Sequence, residues 1–375
     1  MARKTKTKTA RMPHMDATFL IIVLILLTFG LIMLFSASYA YALYQYGNSF
    51  HFIQRQAIFA VAGVVGMLFI SCIDYHILKK FVFWFFAGGI GLLILVFAFP
   101  PLKGARRWIN LGFMTFQPSE VMKFALILLF AYLIATNYEK MGTFRYGILP
   151  FIIPLGLVCG LMFFEPHISG IVLMVSIALV MMFVGGVKYR YYVGIIVIAV
   201  LGVLAIIMFG GIEYVEARLM SWLDPFSDPQ GDTFQTVQSL LAIGSGGFTG
   251  LGLGNSRQKY LYLPEPQNDF IFSIVCEELG FIGAMAVIIL FALFVVRGFI
   301  IASRAPDKFG SMLAVGLTAQ IGIQAIVNIA VVTNTIPNTG ISLPFFSYGG
   351  TALMMQLLQM GIILNISRHS AIVKQ

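Results

Sequence analysis

Apolar runs of about 20 residues, the length that crosses a bilayer as a helix, recur ten times along the chain. They lie at about 16–38, 54–73, 77–99, 118–136, 147–164, 167–186, 191–211, 270–298, 309–333 and 343–365. The pattern predicts an all-α polytopic integral membrane protein with about ten transmembrane helices. The fifth and sixth runs are separated only by Glu165-Pro166-His167, which predicts a tight hairpin. Polar residues collect in one long connection, 212–268, between the seventh and eighth runs. Within it Phe234, Val237 and Leu241 share a helical face, the pattern of a short interfacial helix. The glycine-rich stretch that follows, Gly244 to Gly254, fits neither the dinucleotide fingerprint nor the P-loop. It is expected to be flexible backbone at the membrane surface.

Composition agrees: 59% of the 375 residues are hydrophobic and 10% charged, too few charges to cover a soluble domain. The basic balance, 24 Lys and Arg against 15 Asp and Glu, is explained by orientation. No compact basic domain exists to bind nucleic acid. With the N-terminus in the cytoplasm, sixteen of the 24 cations fall inside, as the positive-inside rule requires, and both termini are cytoplasmic. The chain then reads as one domain over 1–375, with a basic cytoplasmic tail at 1–15, a large extracytoplasmic loop at 212–268 and a cytoplasmic tail at 366–375. The basic run from Arg3 to Arg11 precedes a run without a small-residue cleavage signature, so that run is a retained helix. Cys72, Cys159 and Cys276 all sit in apolar segments, which argues against a disulfide framework and a zinc site.

Seven cations lie outside: Arg55, Lys103, Arg106, Arg107, Arg218, Arg257 and Lys259. Their concentration in two outer loops points to an anionic ligand there, with tolerated surface charge as the alternative. Ionisable groups inside spans are costly and invite a functional reading. Glu120 and Lys123, three apart on the fourth span, and Glu277 and Glu278 on the eighth are expected to form a buried ion-pair cluster linking the two spans. A structural role is the favoured reading of all four. Asp269 stands at the outer mouth of the eighth span. It is either a helix cap or a general base beside a cationic pocket. Ser119, after Gln117-Pro118, is either a cap or part of a helix N-terminus that favours phosphate.

Several segments, in order, carry a resemblance. They are Gly104-Ala105-Arg106-Arg107-Trp108-Ile109, Gln117-Pro118-Ser119-Glu120, Gln235-Thr236-Val237-Gln238-Ser239-Leu240, Leu263 to Phe272, Glu277-Glu278-Leu279-Gly280 and Leu343 to Gly350. Together the chain resembles the SEDS proteins (shape, elongation, division and sporulation) over nearly its whole length. Gly250 to Lys259 followed by Leu263-Pro264-Glu265 is similar to the FtsW-type division branch and its sporulation relative; the elongation branch usually differs in this loop. Asn268 stands where many relatives carry threonine, and Glu165-Pro166-His167 replaces a commoner Gln-Pro-Asp.

The resemblance implies a peptidoglycan glycosyltransferase that polymerises lipid II at the outer face of the bacterial cytoplasmic membrane, at the division septum. Its essential aspartate maps onto Asp269. Arg106, Arg107 and Lys259 are the expected contacts of the undecaprenyl pyrophosphate leaving group, with Glu265, Gln238 and Ser119 as further substrate-binding residues. The implied partners are a class B penicillin-binding protein and other membrane proteins of the division complex. No cofactor is required by this reading; a divalent cation, Mg or Mn, could assist the pyrophosphate, though no carboxylate cage for one is evident. The competing functions are a lipid II flippase and a non-catalytic division scaffold. Against transport, no paired interrupted helices occur in two matching halves.

Overall fold

The computed structural model describes residues 15–101, 106–110, 112, 115–194, 222–228, 231 and 233–373. Nine of the ten expected spans appear as helices among these residues. They are α1 (Ala17–Tyr46), α2 (His51–Ile70), α3 (Leu78–Leu95), α4 (Pro118–Asn137), α5 (Leu149–Phe164) and α6 (Ile168–Val184). After the short α7 (Phe234–Gly246) come α8 (Ile271–Ser303), α9 (Lys308–Val332) and α10 (Gly350–Val373). A two-stranded antiparallel hairpin, β1 (Ile109–Asn110) and β2 (Thr115–Phe116), precedes α4. Most of the seventh span, the start of the long loop, Lys103, Arg218 and the basic tail lie outside the described residues.

The helices end where the sequence supplies a stop. Gly47, at φ 65°, closes α1 by donating its N–H to the Leu43 carbonyl, which only a residue without a Cβ does at little cost. At the other end Asp16 accepts from the Phe19 amide and pairs with Arg297 of α8 at 2.7 Å, joining the inner ends of the two helices. α4 and α9 are buried over 72% of their most apolar windows against 22% for α2 and α3. The first two are therefore the centre of the bundle and the second two its lipid-facing edge. α9 packs on α4, α6 and α8, while α10 packs on α2.

Three expectations change. The tenth span was expected to begin at 343, but Leu343 to Gly349 are not helical, because Phe345 adopts φ 66° and the polar groups of this stretch bond to other loops. α10 also continues to Val373, so residues 366–373 extend a helix and are not a free tail. The glycine-rich stretch is not loose surface backbone. Gly244 to Gly246 finish α7, and the next eight residues dock on α8.

That docking depends on a break in α8. Gly280 lies inside the helix at φ 63°, ψ −161°, which frees backbone groups on both sides. The Leu251 and Gly252 amides donate to the carbonyls of Glu277 and Glu278 at 3.0 and 2.9 Å, and the Phe281 amide donates to Gly247 at 3.0 Å. Backbone this close leaves no room for side chains. A methyl at Gly246 would sit 2.0 Å from the Cys276 oxygen, one at Gly250 2.2 Å from the Glu278 oxygen, and one at Gly280 2.3 Å from the Gly250 nitrogen. Irregular backbone at membrane depth survives only where protein satisfies it, and here the glycine loop does so. Gly280→Ala should therefore lose about 1–3 kcal/mol to the left-handed conformation alone, and more to the collision. The expected result is a lower melting temperature with faster proteolysis between residues 251 and 262; an unchanged melt and cleavage pattern would contradict this account.

Candidate active site at the outer face

Asp269 is positioned through its backbone. The N-cap of α8 is Phe270, and no side chain caps the helix, so the capping alternative for Asp269 is not what the fold uses. Asn328 of α9 donates through Nδ2 to the carbonyls of Asp269 and Ile341 at 2.7 and 2.6 Å. Ser347 donates to the Asn268 carbonyl at 2.6 Å, and the Tyr348 amide to that of Gln267 at 2.8 Å. Gln56 of α2 holds the same turn, accepting from the Gly349 amide and donating to the Ser347 carbonyl. The Asn268 side chain ties back to Glu265 at 2.8 Å. The carboxylate itself is half-buried beside Gly340, where a methyl would come within 3.3 Å of Oδ2. Segments 265–269 and 340–349 are thus bolted together, the arrangement a catalytic group needs to keep its direction.

The cationic segment reaches the same face. Thr351, at the start of α10, donates to the carbonyl of Thr115 in β2 at 3.2 Å, linking the hairpin after Arg107 to the turn that holds Gln267. Arg106 is exposed and donates to the Phe97 carbonyl at 3.3 Å. Arg107 is half-buried and donates to the Pro166 carbonyl in the α5–α6 turn.

The expected cluster joining the fourth and eighth spans is replaced by two local neutralisations. Within α4, Lys123 pairs with Glu120 at 2.8 Å. Beside α8 the loop turns back into the protein and brings its own lysine: Lys259, 2% exposed, donates to Glu278 at 2.9 Å, to the Gly254 carbonyl at 2.6 Å and to Ser36 of α1 at 3.2 Å. Ser36 also donates to Glu278 at 2.7 Å. Glu277 accepts from the Arg257 amide at 2.9 Å and from the Ser256 hydroxyl. Lys259 was expected at the outer surface as a pyrophosphate contact. The geometry puts it instead in the buried pair, because Glu278 would otherwise be an unpaired charge in the bundle.

Of the remaining candidates, Gln238 is half-buried on α7. That helix was expected to be interfacial, with Phe234, Val237 and Leu241 on one face; Leu241 is 47% exposed, while Val237 is buried. The face that packs on α8 carries Ser239, whose hydroxyl is 2.8 Å from that of Ser273 and donates to the Val332 carbonyl. Ser119 follows the N-cap Gln117 and is buried. Its hydroxyl bonds to no group among the described residues, so it does not cap α4.

Glu165 and His167 were not singled out from the sequence, though their place between two spans was a usable signal. Both are buried near Arg107. Burial pushes the Glu165 carboxyl up to about 7 against the opposing pull of Arg107. Burial, then Arg107 and Lys123, push His167 down to about 3. Among the described residues no three His, Cys, Asp or Glu side chains converge as a metal-binding set.

Known proteins resemble this chain over nearly its whole length. The model of the FtsW/RodA/SpoVE family, described as cell cycle protein, matches residues 16–372. The chain belongs to that family. It is 42% identical over 369 residues to stage V sporulation protein E of Bacillus subtilis (strain 168), covering 96% of this chain and 99% of the relative. It is 39% identical over 361 residues to a probable peptidoglycan glycosyltransferase FtsW of Geobacter sp. (strain M18), covering 95% and 98%. Its fold matches a chain of a solved peptidoglycan synthase complex with a TM-score of 0.80 at 26% identity, over 95% of this chain and 98% of that one. It also matches the Thermus thermophilus rod shape determining protein RodA with a TM-score of 0.68 at 24% identity, over 94% and 97%. In this FtsW/RodA/SpoVE chain the buried pair gives a direct test. Lys259→Met, which strands Glu278, should cost about 3–5 kcal/mol, and adding Glu278→Gln should restore most of it. Thermal unfolding measures both. A double variant as unstable as the single one would show that the two residues are not coupled.

Proposed function

We propose that the protein is a peptidoglycan glycosyltransferase that polymerises lipid II at the outer face of the cytoplasmic membrane, with Asp269 as general base. The observation that carries this reading is half-buried Asp269, in a segment whose backbone carbonyls, at Gln267, Asn268 and Asp269, are held by Tyr348, Ser347 and Asn328 on the face that Arg107 also reaches. The acceptor sugar's hydroxyl attacks the donor's anomeric carbon. As that bond forms Asp269 takes the hydroxyl proton, and the bond from the anomeric carbon to the pyrophosphate oxygen breaks. Arg106 and Arg107 neutralise the departing pyrophosphate, a task suited to guanidinium because it can bond phosphate through two parallel N–H groups. Glu265 braces the base through Asn268. Gln238 and Ser119 are further sugar or phosphate contacts. Lys259 has no place in this chemistry because its charge is matched inside the bundle.

The lipid tail stays in the bilayer while the sugars react at its surface, which accounts for a sugar polymerase built from membrane helices. The related chain solved within a peptidoglycan synthase complex for polymerization and crosslinking supports a crosslinking partner, in this proposal a class B penicillin-binding protein; the proposal further places both with other division proteins at the septum.

Base catalysis contributes about 10²–10⁴-fold. Asp269→Ala, co-purified with its cognate penicillin-binding protein and given lipid II in the presence of moenomycin, should lose polymer synthesis by at least about 100-fold, while the complex stays intact. Equal polymer from variant and wild type would remove Asp269 from the mechanism. Lipid II crossing proteoliposomes without polymer would favour transport instead.

A further inference from the structure

The inner face, opposite Asp269, carries a charged surface that the proposed chemistry leaves unused. Three connections meet there: the one between α4 and α5, the one after α6 and the one before α9. They bring five exposed cations, Lys140, Arg145, Lys188, Arg190 and Lys308. The positive-inside rule puts cations on this side but does not gather them. Here aromatic rings gather them. The Lys140 Nζ and the Arg145 guanidinium lie 5.2 and 5.9 Å from the centre of one ring, that of Tyr146. Lys308 stands 4.0 Å over Tyr138, and Arg190 4.9 Å over Tyr191, whose ring lies 6.1 Å from that of Phe144. Lys188 crosses the same loop, where a methyl at Gly142 would sit 3.1 Å from its Cε.

Among the described residues none of these five cations forms an ion pair. Glu139 is the one acid in the 138–147 loop. Asp307, beside Lys308, is already bonded to Tyr75 and Lys79. Like charges crowded in this way repel one another. A cation resting on a ring also keeps its N–H donors for an anion. The rings are open as well, since Tyr138, Phe144 and Tyr189 are exposed. They stand just beyond Asn137 and Val184 and before Leu149, where helices leave the bilayer. At that level a phospholipid presents its phosphate next to the first carbons of its chains, which matches cations beside amphipathic rings. An acidic protein segment would meet the charges and leave the rings without an apolar neighbour.

We infer that this surface is a binding site for anionic phospholipid headgroups of the inner leaflet, their phosphates shared among Lys140, Arg145, Lys188, Arg190 and Lys308. The inference stands apart from the reaction proposed at Asp269. A headgroup bridging these connections ties together the inner ends of α4 and α9, the two central helices, and of α6, which packs on α9. Anionic lipid therefore stabilises the folded bundle through its charge, beyond what any bilayer-forming lipid supplies through its chains.

The test uses the full-length protein in dodecyl maltoside and follows thermal unfolding as lipid is added, because a ligand of the folded state raises its melting temperature. Phosphatidylglycerol should stabilise the wild type, and phosphatidylcholine with the same chains should not. The triple variant Lys140→Gln/Arg145→Gln/Lys188→Gln should need at least about tenfold more phosphatidylglycerol for half of the effect, since each cation near an anionic lipid surface contributes about 1 kcal/mol. Lys80→Gln, which removes an exposed inner cation outside this set of contacts, should respond as the wild type does. In ~1 M salt, where the Debye length falls to about 3 Å, most of the difference between the two lipids should vanish. Equal stabilisation by both lipids, an unaltered triple variant, or the same loss in Lys80→Gln would overturn the inference. So would equal stabilisation by soluble glycerol 3-phosphate, which marks a site for free phosphate. Stabilisation by a polyglutamate peptide and not by the lipid would point instead to an acidic protein partner. Should the triple variant fail to fold, the wild type decides through the lipid comparison and its salt dependence.

Discussion

Two adjacent carboxylates inside a membrane helix are stable only if nearly every lone pair is used, because the desolvation penalty is several kcal/mol per ion. At Glu277 and Glu278 the partners come from far away in the chain: Ser36 on α1, and Ser256, Arg257 and Lys259 on the loop. The loop is consequently fixed to α8 by side chains as well as by backbone. Through α8 the same scaffold fixes where the helix begins, and so where Asp269 stands. The outer half of the molecule follows from satisfying these two charges.

The spans were legible because a bilayer demands a set length of apolar sequence, and few soluble constraints blur that signal. The short α7 was also visible, but its buried face was not. The apolar residues suggested a membrane-facing helix, and Leu241 is indeed exposed; what they did not show is that Ser239 seats the helix against Ser273 of α8. Gly244 to Gly254 were misjudged for a related reason: the meaning of a glycine at close approach lies in its neighbour, and that neighbour, Gly280, is some thirty residues away. Lys259 was assigned to solvent because orientation rules treat a loop as exposed, and nothing local marks a loop that re-enters the bundle.

The site divided in the same way. Asp269 was legible as a charge at a helix mouth, and the arginines as cations in an outer loop. Their supports were not: Asn328 is one amide in an apolar helix, and its donation to two loop carbonyls depends on the tertiary path. Membership of the FtsW/RodA/SpoVE family makes the chain a membrane glycosyltransferase; in the proposed mechanism its chemistry is mounted on loops and its precision comes from helices.

The pairing at Glu278 also bears on how the chain enters the membrane. An acidic residue at the centre of an inserting helix costs about 2.5–3.5 kcal/mol and less towards its ends, and α8 brings two in its outer part. Synthesis runs from the N-terminus, so Ser36 and Lys259 exist before Glu278 leaves the ribosome. The neutralising groups are waiting when the charged segment arrives, and α8 can close its ion pair as it inserts instead of crossing the bilayer as an exposed anion. The order of residues along the chain is thereby also an order of assembly.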